Sequence, residues 1–327
     1  MDFRGCLKSG LIALSVPVAI GFASSVHAQV SSSKVIKMVV PYAAGGGTDI
    51  LARQVAEVLG AELGATIIVE NKAGGSGNIG AMEVVRSAPD GNTLFMGDLA
   101  LAVNPSLIKS MPFDPQTDLM PVALVATAPL VLVVGKNMDI TTVKELEQQA
   151  KSKPQSITFA SAGYGNPPHL AGELFKITTG TDIVHIPYKG VGPALNDLLG
   201  GHVSMLFTGI SSTKQHIDGG GITALAVTGN KRAATLPDIP TMAEAGYPEV
   251  DVTSWWGIFA PAKFPMDEVK KLSAAVERAM KDSDLTKRFN DRNIDVNYAS
   301  SDELKSKLHL ETQKWAEVLS KVEVPPQ

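Results

Sequence analysis

A glycine-rich segment near the start of the chain constrains the fold more than any other feature, and it reads Pro41-Tyr42-Ala43-Ala44-Gly45-Gly46-Gly47-Thr48-Asp49. An apolar run, 35–40, precedes it and an amphipathic run, 50–63, follows, so this order predicts a strand, a turn and a helix start. Glycines let backbone N–H groups point at one place, and the first helical turn leaves its N–H groups unpaired beside the positive end of the dipole. The segment is therefore predicted to bind an anion without a cationic side chain.

Two residues of this segment allow two interpretations each. Thr48 either caps the helix or contacts the ligand, and Asp49 either caps it or only interacts favourably with the helix dipole. Capping is the expected role for at least one of them. A single glycine run is more often a flexible turn, but the same order of elements recurs twice along this chain.

The second occurrence is residues 71–80, which follow a predicted strand, 66–70. Asn78 is predicted to be the N-cap of the next helix, 78–87, and the glycines before it are expected to line a cleft.

Gly75, Gly77 and Gly80 also fit the spacing of a dinucleotide fingerprint, with Asp98 as its distant acidic residue. However, four residues separate Glu70 from the first of these glycines, whereas that motif needs its turn at the end of the strand. An exported dinucleotide-binding enzyme therefore stays the remote alternative.

The third occurrence reads Ser161-Ala162-Gly163-Tyr164-Gly165-Asn166-Pro167-Pro168-His169-Leu170 and follows a predicted strand, 157–160. Asn166 is predicted to cap the following helix, with Pro167 or Pro168 at its first position, where a missing N–H costs nothing. Ser161 and nearby backbone donors are predicted to hold a carboxylate. His169 is a candidate ligand contact, although a lone histidine early in a helix more often packs or hydrogen-bonds.

The amino terminus has the three-part pattern of a secretory signal peptide. Arg4 and Lys8 precede an apolar run, 11–22, which is too short to span a membrane, and Val26-His27-Ala28 supplies the small residues of a cleavage site. We therefore predict a cleaved signal peptide, residues 1–28, and a soluble periplasmic protein. The one cysteine, Cys6, lies in that segment, so no disulfide or thiol chemistry is predicted for the mature chain.

Composition and periodicity indicate the fold class. Hydrophobic residues make up 44% and charged residues 19% of the chain, which is typical of a globular protein. The net charge of −4 argues against a nucleic-acid partner. Strand-like and helix-like runs alternate, which predicts an α/β fold with a mostly parallel sheet and, at this length, two domains. A long β-rich stretch, 119–135, is expected to be interrupted at Pro129.

The sequence does not contain the residue patterns of common enzymes. His169, His185, His202 and His216 lack zinc-site spacing, so neither a metal nor a cofactor is predicted. Ser211 and Ser212 lack the closing glycine of a nucleophile elbow, and the paired carboxylates of Asp282 and Asp284 are expected to be solvated at a helix end. We therefore expect a binding protein rather than an enzyme.

Several motifs in order resemble the Bug receptors, the solute-binding proteins of tripartite tricarboxylate transporter systems. The resemblance covers nearly the whole chain after residue 28. Its motifs are Pro41 to Asp49, Glu70-Asn71-Lys72 with Gly74 to Gly80, Ala88 to Leu94, Ser161-Ala162-Gly163 with His169-Leu170, His185 to Gly190, Leu236 to Thr241 with Glu244-Ala245-Gly246, and Trp256 to Pro261. Ala43 stands where the family usually has a second proline.

The resemblance implies a two-lobed, type II-like periplasmic binding protein with its ligand between the lobes. Lobe I is expected at residues 29–128 and again at 254–327, and lobe II at 129–253, with crossovers near 125–130 and 250–256. Closure of such a protein is a hinge motion in which both lobes contact the ligand.

The resemblance also implies a function. We expect a monomeric receptor that captures an organic carboxylate and delivers it to the membrane subunits of a tripartite tricarboxylate-type transporter. A ligand sensor that signals to a membrane kinase is the alternative. The expected ligand-binding residues come from the first glycine segment, from the Ser-Ala-Gly segment and from one further position: Tyr42, Ala44, Gly45, Gly46, Gly47, Thr48, Asp49, Ser161, Ala162, Gly163, His169 and Thr208.

Thr208 bears on the chemistry of the ligand. Family members that resemble amino-acid receptors commonly carry an aspartate at this position, after the Leu206-Phe207 pair, whereas this chain has a hydroxyl. A buried ammonium group without a counter-charge is costly, so we expect a mono- or dicarboxylate without an amine. Trp255 or Trp256 can line the ligand site, which would suit an aromatic carboxylate such as terephthalate, but packing at the hinge is the more usual role.

Overall fold

A computed structural model describes residues 34–188 and 190–322 of the chain. The predicted signal peptide, residues 1–28, lies outside these ranges and stays a prediction. Within them, no helix has both the length and the apolar character needed to cross a membrane.

The described residues form strands and helices that alternate along most of the chain. The strands are β1 (Val35–Val40), β2 (Thr66–Asn71), β3 (Thr93–Asp98), β4 (Leu119–Gly135), β5 (Thr158–Ser161), β6 (Val184–Pro187), β7 (Met205–Gly209), β8 (Ile222–Val227), β9 (Thr253–Pro261) and β10 (Asp295–Ala299). The helices are α1 (Gly47–Leu63), α2 (Asn78–Val85), α3 (Ala100–Leu107), α4 (Val143–Ser152), α5 (Pro167–Thr179), α6 (Val191–Leu199), α7 (Ile210–Asp218), α8 (Met266–Ala279), α9 (Ser283–Asn290) and α10 (Ser301–Leu319).

The strands form two half-sheets that share β4. The first half-sheet has the order β2-β1-β3-β9-β4, with β10 also paired to β4. The second contains β4, β7, β5 and β6 in that order, with β8 also on β4. In both, a parallel strand ends where a glycine-containing loop begins, so the predicted ligand segments follow β1 and β5.

The expectation of a mostly parallel sheet is wrong. β1 pairs parallel with β2 and β3, and β5 pairs parallel with β6 and β7. All pairings of β4 and β9, by contrast, are antiparallel. The sheet is mixed because β9 runs against the βα strands of the first half-sheet and β4 runs against those of the second.

Pro129 does not interrupt β4, contrary to the sequence expectation. It is the last residue of β4 paired with β9, opposite Thr253, and the pairing with β7 begins at the next residue, Leu130. Proline cannot donate to a ladder and so is tolerated where the partner strand changes. The strand therefore continues from one half-sheet into the other.

Thr228 joins the two chain segments that pass between the half-sheets. Its buried hydroxyl accepts a hydrogen bond from Leu130 N–H at 2.8 Å and donates one to the Val252 carbonyl at 2.9 Å. Its own N–H donates to the Leu130 carbonyl at 2.8 Å. One side chain thus satisfies backbone groups of both segments, which would otherwise be buried and unpaired.

Helices cover both faces of the sheets and bury three apolar clusters. Large fully buried side chains include Trp255, Trp315 and Phe159, which belong to the cluster spanning both half-sheets. A second cluster lies between α1, α8 and the first half-sheet, and a third beside α6 and β8. This packing holds the ends of β1, β3, β5 and β7 in fixed positions.

Candidate functional site

The first glycine segment presents the open start of α1. Gly46 is the N-cap, and the first helical backbone bond runs from Ile50 N–H to the Gly46 carbonyl at 3.0 Å. Residues 44–47 are exposed, and Gly45 has a φ of +84°, which a glycine adopts without strain. Because an α-helix has no internal acceptors for its first N–H groups, those of Gly47, Thr48 and Asp49 are the donors this turn offers.

Asp49 holds this turn in place from the side. Its Oδ2 accepts from Gly45 N–H at 2.8 Å, and its Oδ1 accepts from the Asn71 amide at 2.9 Å. Arg53 approaches the same carboxylate at 3.0 Å. Burial acts to raise the pKa of Asp49, but hydrogen bonds from Arg53, Gly45 and Asn71 outweigh it and lower the pKa. Asp49 is 2% exposed and engaged with protein groups, so its carboxylate fixes the loop before the helix, although Gly46 and not Asp49 is the N-cap.

Thr48 does not cap the helix either, because Gly46 is the N-cap and Thr48 is the second helical residue; the expectation that one of these two residues caps α1 is therefore wrong. Instead its hydroxyl accepts a 3.0 Å hydrogen bond from the indole Nε1 of Trp256. Trp256 is half-buried and stands beside this turn, whereas Trp255 is fully buried and packs 6.5 Å from the Phe259 ring. Trp255 therefore packs in the core, and Trp256 is the tryptophan placed at the predicted ligand segment.

Asp98 completes this part of the site. It ends β3 opposite Trp256 of β9, and its Oδ1 accepts from Ala100 N–H at 3.0 Å at the start of α3. The Tyr42 hydroxyl interacts with the Asp98 carboxyl; burial and the negative charge of Asp98 hold the pKa of Tyr42 well above its usual range. Burial also raises the pKa of Asp98 to about 6, against the opposing effects of Tyr42 and Ala100. Both side chains are half-buried.

The second glycine segment uses its donors internally. Gly77 N–H bonds to the Gly74 carbonyl at 3.0 Å, and Asn78 N–H bonds to Gly75. Gly77, not Asn78, is the N-cap of α2, so the capping prediction for Asn78 is wrong. The Asn78 side chain is buried and bonds to Asn104 at 3.2 Å, which leaves it unable to fold back onto the helix start.

The third segment begins α5 as predicted. The Asn166 side chain caps the helix by accepting from His169 N–H at 3.1 Å, and Pro167 is its first residue. Both prolines lack an N–H, and the N–H groups of Gly163 and Gly165 donate to Ser161 Oγ and His169 Nδ1, each at 3.1 Å. This turn is therefore rigid and largely self-satisfied, unlike the start of α1.

Ser161 is held beneath this loop. Its buried Oγ donates to the Gly163 carbonyl at 2.9 Å and lies 2.7 Å from His185 Nε2. Since its one proton goes to the carbonyl, we assign the proton of the second contact to His185. A Ser–His pair of this kind in an enzyme needs an exposed nucleophile, whereas the Ser161 side chain is fully buried. Its role is to fix the loop.

His169, Glu173 and His185 bring together three groups that can hold a metal ion. The donor set does not fit one. His169 Nδ1 accepts a hydrogen bond from Gly165 N–H, so its Nε2 carries the ring proton and points towards Glu173 Oε1, 4.0 Å away. Ligation through Nε2 would need an imidazolate.

Burial keeps both histidines neutral. It lowers the pKa of His169 to about 3, helped by His185 and Lys176, and that of His185 to about 4, helped by Lys176. Glu173 is 4% exposed, and burial raises its pKa although Lys176 opposes the shift at 3.7 Å. The two neutral histidines support the loop above them through the contacts of His169 with Gly165 N–H and of His185 with Ser161.

Thr208 is fully buried, and its hydroxyl has no hydrogen-bond partner within the described ranges. Extending the register of β5 and β7, in which Ala160 lies opposite Leu206, places Thr208 beside Ala162. The predicted residues thus fall into two groups: one around Tyr42, Thr48 and Asp49, and one around Ser161 and Thr208.

Leu107, at the end of α3, contacts the loop that follows β5 and so links the two groups of predicted residues. A Cβ added to Gly165 would lie 2.3 Å from Leu107 Cδ1, so the loop after β5 touches an element of the first half-sheet. Sequence reasoning missed Leu107 and His185 as parts of the site and considered Asp98 only for a dinucleotide. The pattern Asp98-Leu99-Ala100 at a strand-to-helix junction was a signal for Asp98.

Comparisons with known proteins agree with this architecture. Residues 51–324 match the family model described as "Tripartite tricarboxylate transporter family receptor". The BugT protein of Bordetella pertussis is 36% identical over 301 residues, covering 91% of this chain and 92% of its own length.

Solved structures give the same result at the level of the fold. A Rhodopseudomonas palustris protein solved with adipate is 32% identical, with a TM-score of 0.74, and covers 87% of this chain and 96% of its own. MatC from the same organism, solved with malate, is 31% identical, with a TM-score of 0.71 and coverages of 87% and 98%. Other similar structures are described as periplasmic transport or binding proteins. The predicted α/β, two-lobed fold is confirmed.

Proposed function

This chain belongs to the tripartite tricarboxylate transporter receptor family, and from that membership we propose that it captures an organic mono- or dicarboxylate. Members and structural neighbours are solute-binding receptors, so the chain is a receptor and not an enzyme. The finer proposal concerns the ligand, its contacts and its delivery.

The open start of α1 carries the proposal. Its exposed turn offers the N–H groups of Gly47, Thr48 and Asp49 at the positive end of a helix dipole, which is a favourable place for a carboxylate. Tyr42 and exposed Ala44 to Gly46 border this turn. The ligands of two solved relatives, adipate and malate, are dicarboxylates, which supports the same chemistry here.

The second lobe supplies the opposite wall in this proposal. Ser161, Ala162 and Gly163 form a loop fixed by hydrogen bonds, and His169 acts from below it. The hydroxyl of Thr208, buried and without a partner in the described part of the chain, is a group that a ligand or water oxygen would satisfy. It supports a ligand without an amine.

Closure of the two lobes accompanies binding in this proposal. Lobe I would comprise residues 29–128 and 254–327, and lobe II residues 129–253. The change of partner strand after Pro129 and the Thr228 link between Leu130 and Val252 support a hinge at these crossovers. The loaded, monomeric receptor then delivers its ligand in the periplasm to the membrane subunits of a tripartite tricarboxylate-type transporter.

A thermal-shift panel of the mature protein tests the ligand class. The panel sets succinate, malate, adipate, citrate and terephthalate against aspartate and glutamate, with the diamides of succinate, malate, adipate and terephthalate as neutral controls. Ligand at 100 times its Kd stabilises the folded state by about 2.7 kcal/mol. A rise with a carboxylate and none with its diamide is expected. A shift with aspartate or glutamate alone would refute the ligand class.

A gene deletion tests delivery. The strain is expected to lose uptake of the labelled carboxylate identified by the panel and to keep uptake of unrelated nutrients. Restoring the gene should restore uptake, whereas a variant that no longer binds the ligand should not. Normal uptake by the deletion strain would contradict the transport role.

A further inference from the structure

Among the candidate lobe I contacts in the described part of the chain, Asp98 is the carboxyl group whose partners, Ala100 and Tyr42, carry no positive charge. It ends β3, lies opposite Trp256 in the β3–β9 ladder and interacts with the Tyr42 hydroxyl. Trp256 in turn bonds to Thr48. Asp98 therefore shares direct neighbours with the turn at the start of α1, and its side chain is half-buried rather than sealed in the core.

The groups that face Asp98 come from the loop after β1, from α3 and from β9. The loop after β1 contributes Tyr42, whose raised pKa keeps it a neutral donor; α3 contributes the Ala100 N–H at 3.0 Å. From β9 comes Trp256, which does not titrate. The nearby carboxylate of Asp49 is turned towards Arg53 and Asn71. Nothing in this set offers a positive side chain to Asp98.

An anionic ligand at the start of α1 would lie beside Trp256 and Tyr42, the neighbours of Asp98. If Asp98 were ionised, two negative charges would face each other in a poorly solvated cleft, which is unfavourable. A neutral carboxyl group instead presents an O–H donor while its Oδ1 still accepts from Ala100. We propose, resting on the proposed function, that Asp98 is a ligand-contacting residue which takes up a proton from solvent when a dicarboxylate binds and donates it in a hydrogen bond to a ligand carboxylate oxygen.

Proton uptake by Asp98 makes the affinity for a dicarboxylate fall as the pH rises. Burial places the pKa of Asp98 at about 6 in the free receptor, so the neutral form is plentiful below pH 6 and scarce at pH 8. Above pH 6 the affinity for a fully ionised dicarboxylate should fall by roughly tenfold per pH unit until the proton is no longer taken up. A ligand ammonium group would give the opposite sign, because it binds the ionised form.

Calorimetry of the mature protein measures this coupling directly. Malate and adipate serve as probes at pH 7.0, 7.75 and 8.5, in pairs of buffers with different ionisation enthalpies. Wild-type protein should bind with net proton uptake and weaken as the pH rises. Asp98→Asn, which keeps the shape and the acceptor, should bind without proton uptake and with a nearly flat pH profile. The matched control is Asp267→Asn, an exposed acid at the start of α8, which should behave as wild type.

The two proposals fail in different ways. If no carboxylate of the panel binds wild-type protein at any pH, the proposed function fails. If malate or adipate binds without proton uptake, or more tightly as the pH rises, the role of Asp98 is overturned while the receptor function stands. An Asp98→Asn variant with the proton uptake of wild type would overturn it equally, and its urea unfolding curve verifies that the variant is folded.

Discussion

The indole N–H of Trp256 donates a 3.0 Å hydrogen bond to the hydroxyl of Thr48, which lies 208 residues earlier in the chain. Trp256 belongs to β9, the strand that returns to the first half-sheet after the second crossover. Thr48 lies in the first turn of α1. The bond therefore connects the turn proposed to bind the carboxylate with the strand that leads from the proposed hinge, so that a movement of the strand would displace the turn.

Trp256→Phe should weaken carboxylate binding several-fold, because a smaller aromatic ring is kept while the N–H that positions Thr48 is lost. The net loss of stability should be about 1 kcal/mol, typical of one hydrogen bond. Thr48→Val removes the same bond from the other side. Calorimetry on both single variants and the double variant should give non-additive losses; strictly additive losses would show that this bond does not position the turn.

Gly47→Pro tests the backbone donors of α1. Proline is well tolerated at the first helical position, and Gly46 before it already has the extended backbone that a following proline requires. The substitution therefore removes one N–H with little strain, and we expect at least a tenfold loss of affinity with an almost unchanged melting temperature.

Gly47→Ala is the matched control, because it keeps the N–H and its added Cβ would meet nothing within 4 Å. This variant should bind normally. Equal affinities of the proline and alanine variants would place the ligand elsewhere.

Gly165→Ala should reduce affinity by preventing the approach of the two halves, since its Cβ would lie 2.3 Å from Leu107 Cδ1. The positive φ of +76° adds backbone strain. Adding Leu107→Ala removes the clash but not the strain, so it should restore most of the affinity while stability stays reduced.

Gly180→Ala is the control that separates the effect of backbone strain from that of the clash with Leu107. Its φ of +62° is similar, but a Cβ there would meet nothing within 4 Å. It should lower the melting temperature and leave affinity unchanged. Failure of Leu107→Ala to rescue Gly165→Ala would show that this contact does not limit closure.

Simple electrostatics favours a neutral Asp98 in the loaded receptor. At pH 7, protonating a group whose pKa is about 6 costs about 1.4 kcal/mol. Two carboxylates about 6 Å apart repel by about 3 kcal/mol at an effective dielectric constant of about 20. Proton uptake is therefore the less costly outcome when a dianion binds at the start of α1.

Local pattern was sufficient for the elements that build the candidate site. β1, the helix from Gly47 and the Asn166 cap follow from periodicity and capping chemistry, because both act over a few residues. Thr48 was mispredicted as a possible cap because its partner, Trp256, is distant in sequence. Asn78 likewise bonds to Asn104 of another helix instead of its own helix start.

Strand direction and donor availability could not be predicted in this way. β4 and β9 read as apolar runs whichever way they pair, so nothing local in the sequence indicated their antiparallel pairing. The three glycine segments look alike in sequence, yet the loops at Gly77 and Gly165 bond their N–H groups internally. These bonds are local, but they depend on backbone angles that a glycine-rich sequence leaves open, because glycine adopts φ of either sign.

Acid should destabilise the protein through the buried histidines, a result independent of any ligand. His169 has a pKa of about 3 in the folded state and about 6.5 in the unfolded state. Its contribution to the free energy of unfolding is therefore complete above pH 6.5 and is lost as the pH falls towards 3. At pH 5 this loss should lower the free energy of unfolding by about 2 kcal/mol.

Glu173 acts oppositely, since its raised pKa favours the folded state in acid, so the effect of His169 is isolated by comparing a His169 variant with the wild type. In urea unfolding at pH 5 and 7.5, His169→Gln should show a smaller pH dependence than wild type. An unchanged pH dependence in His169→Gln would mean that His169 is not held neutral by the fold.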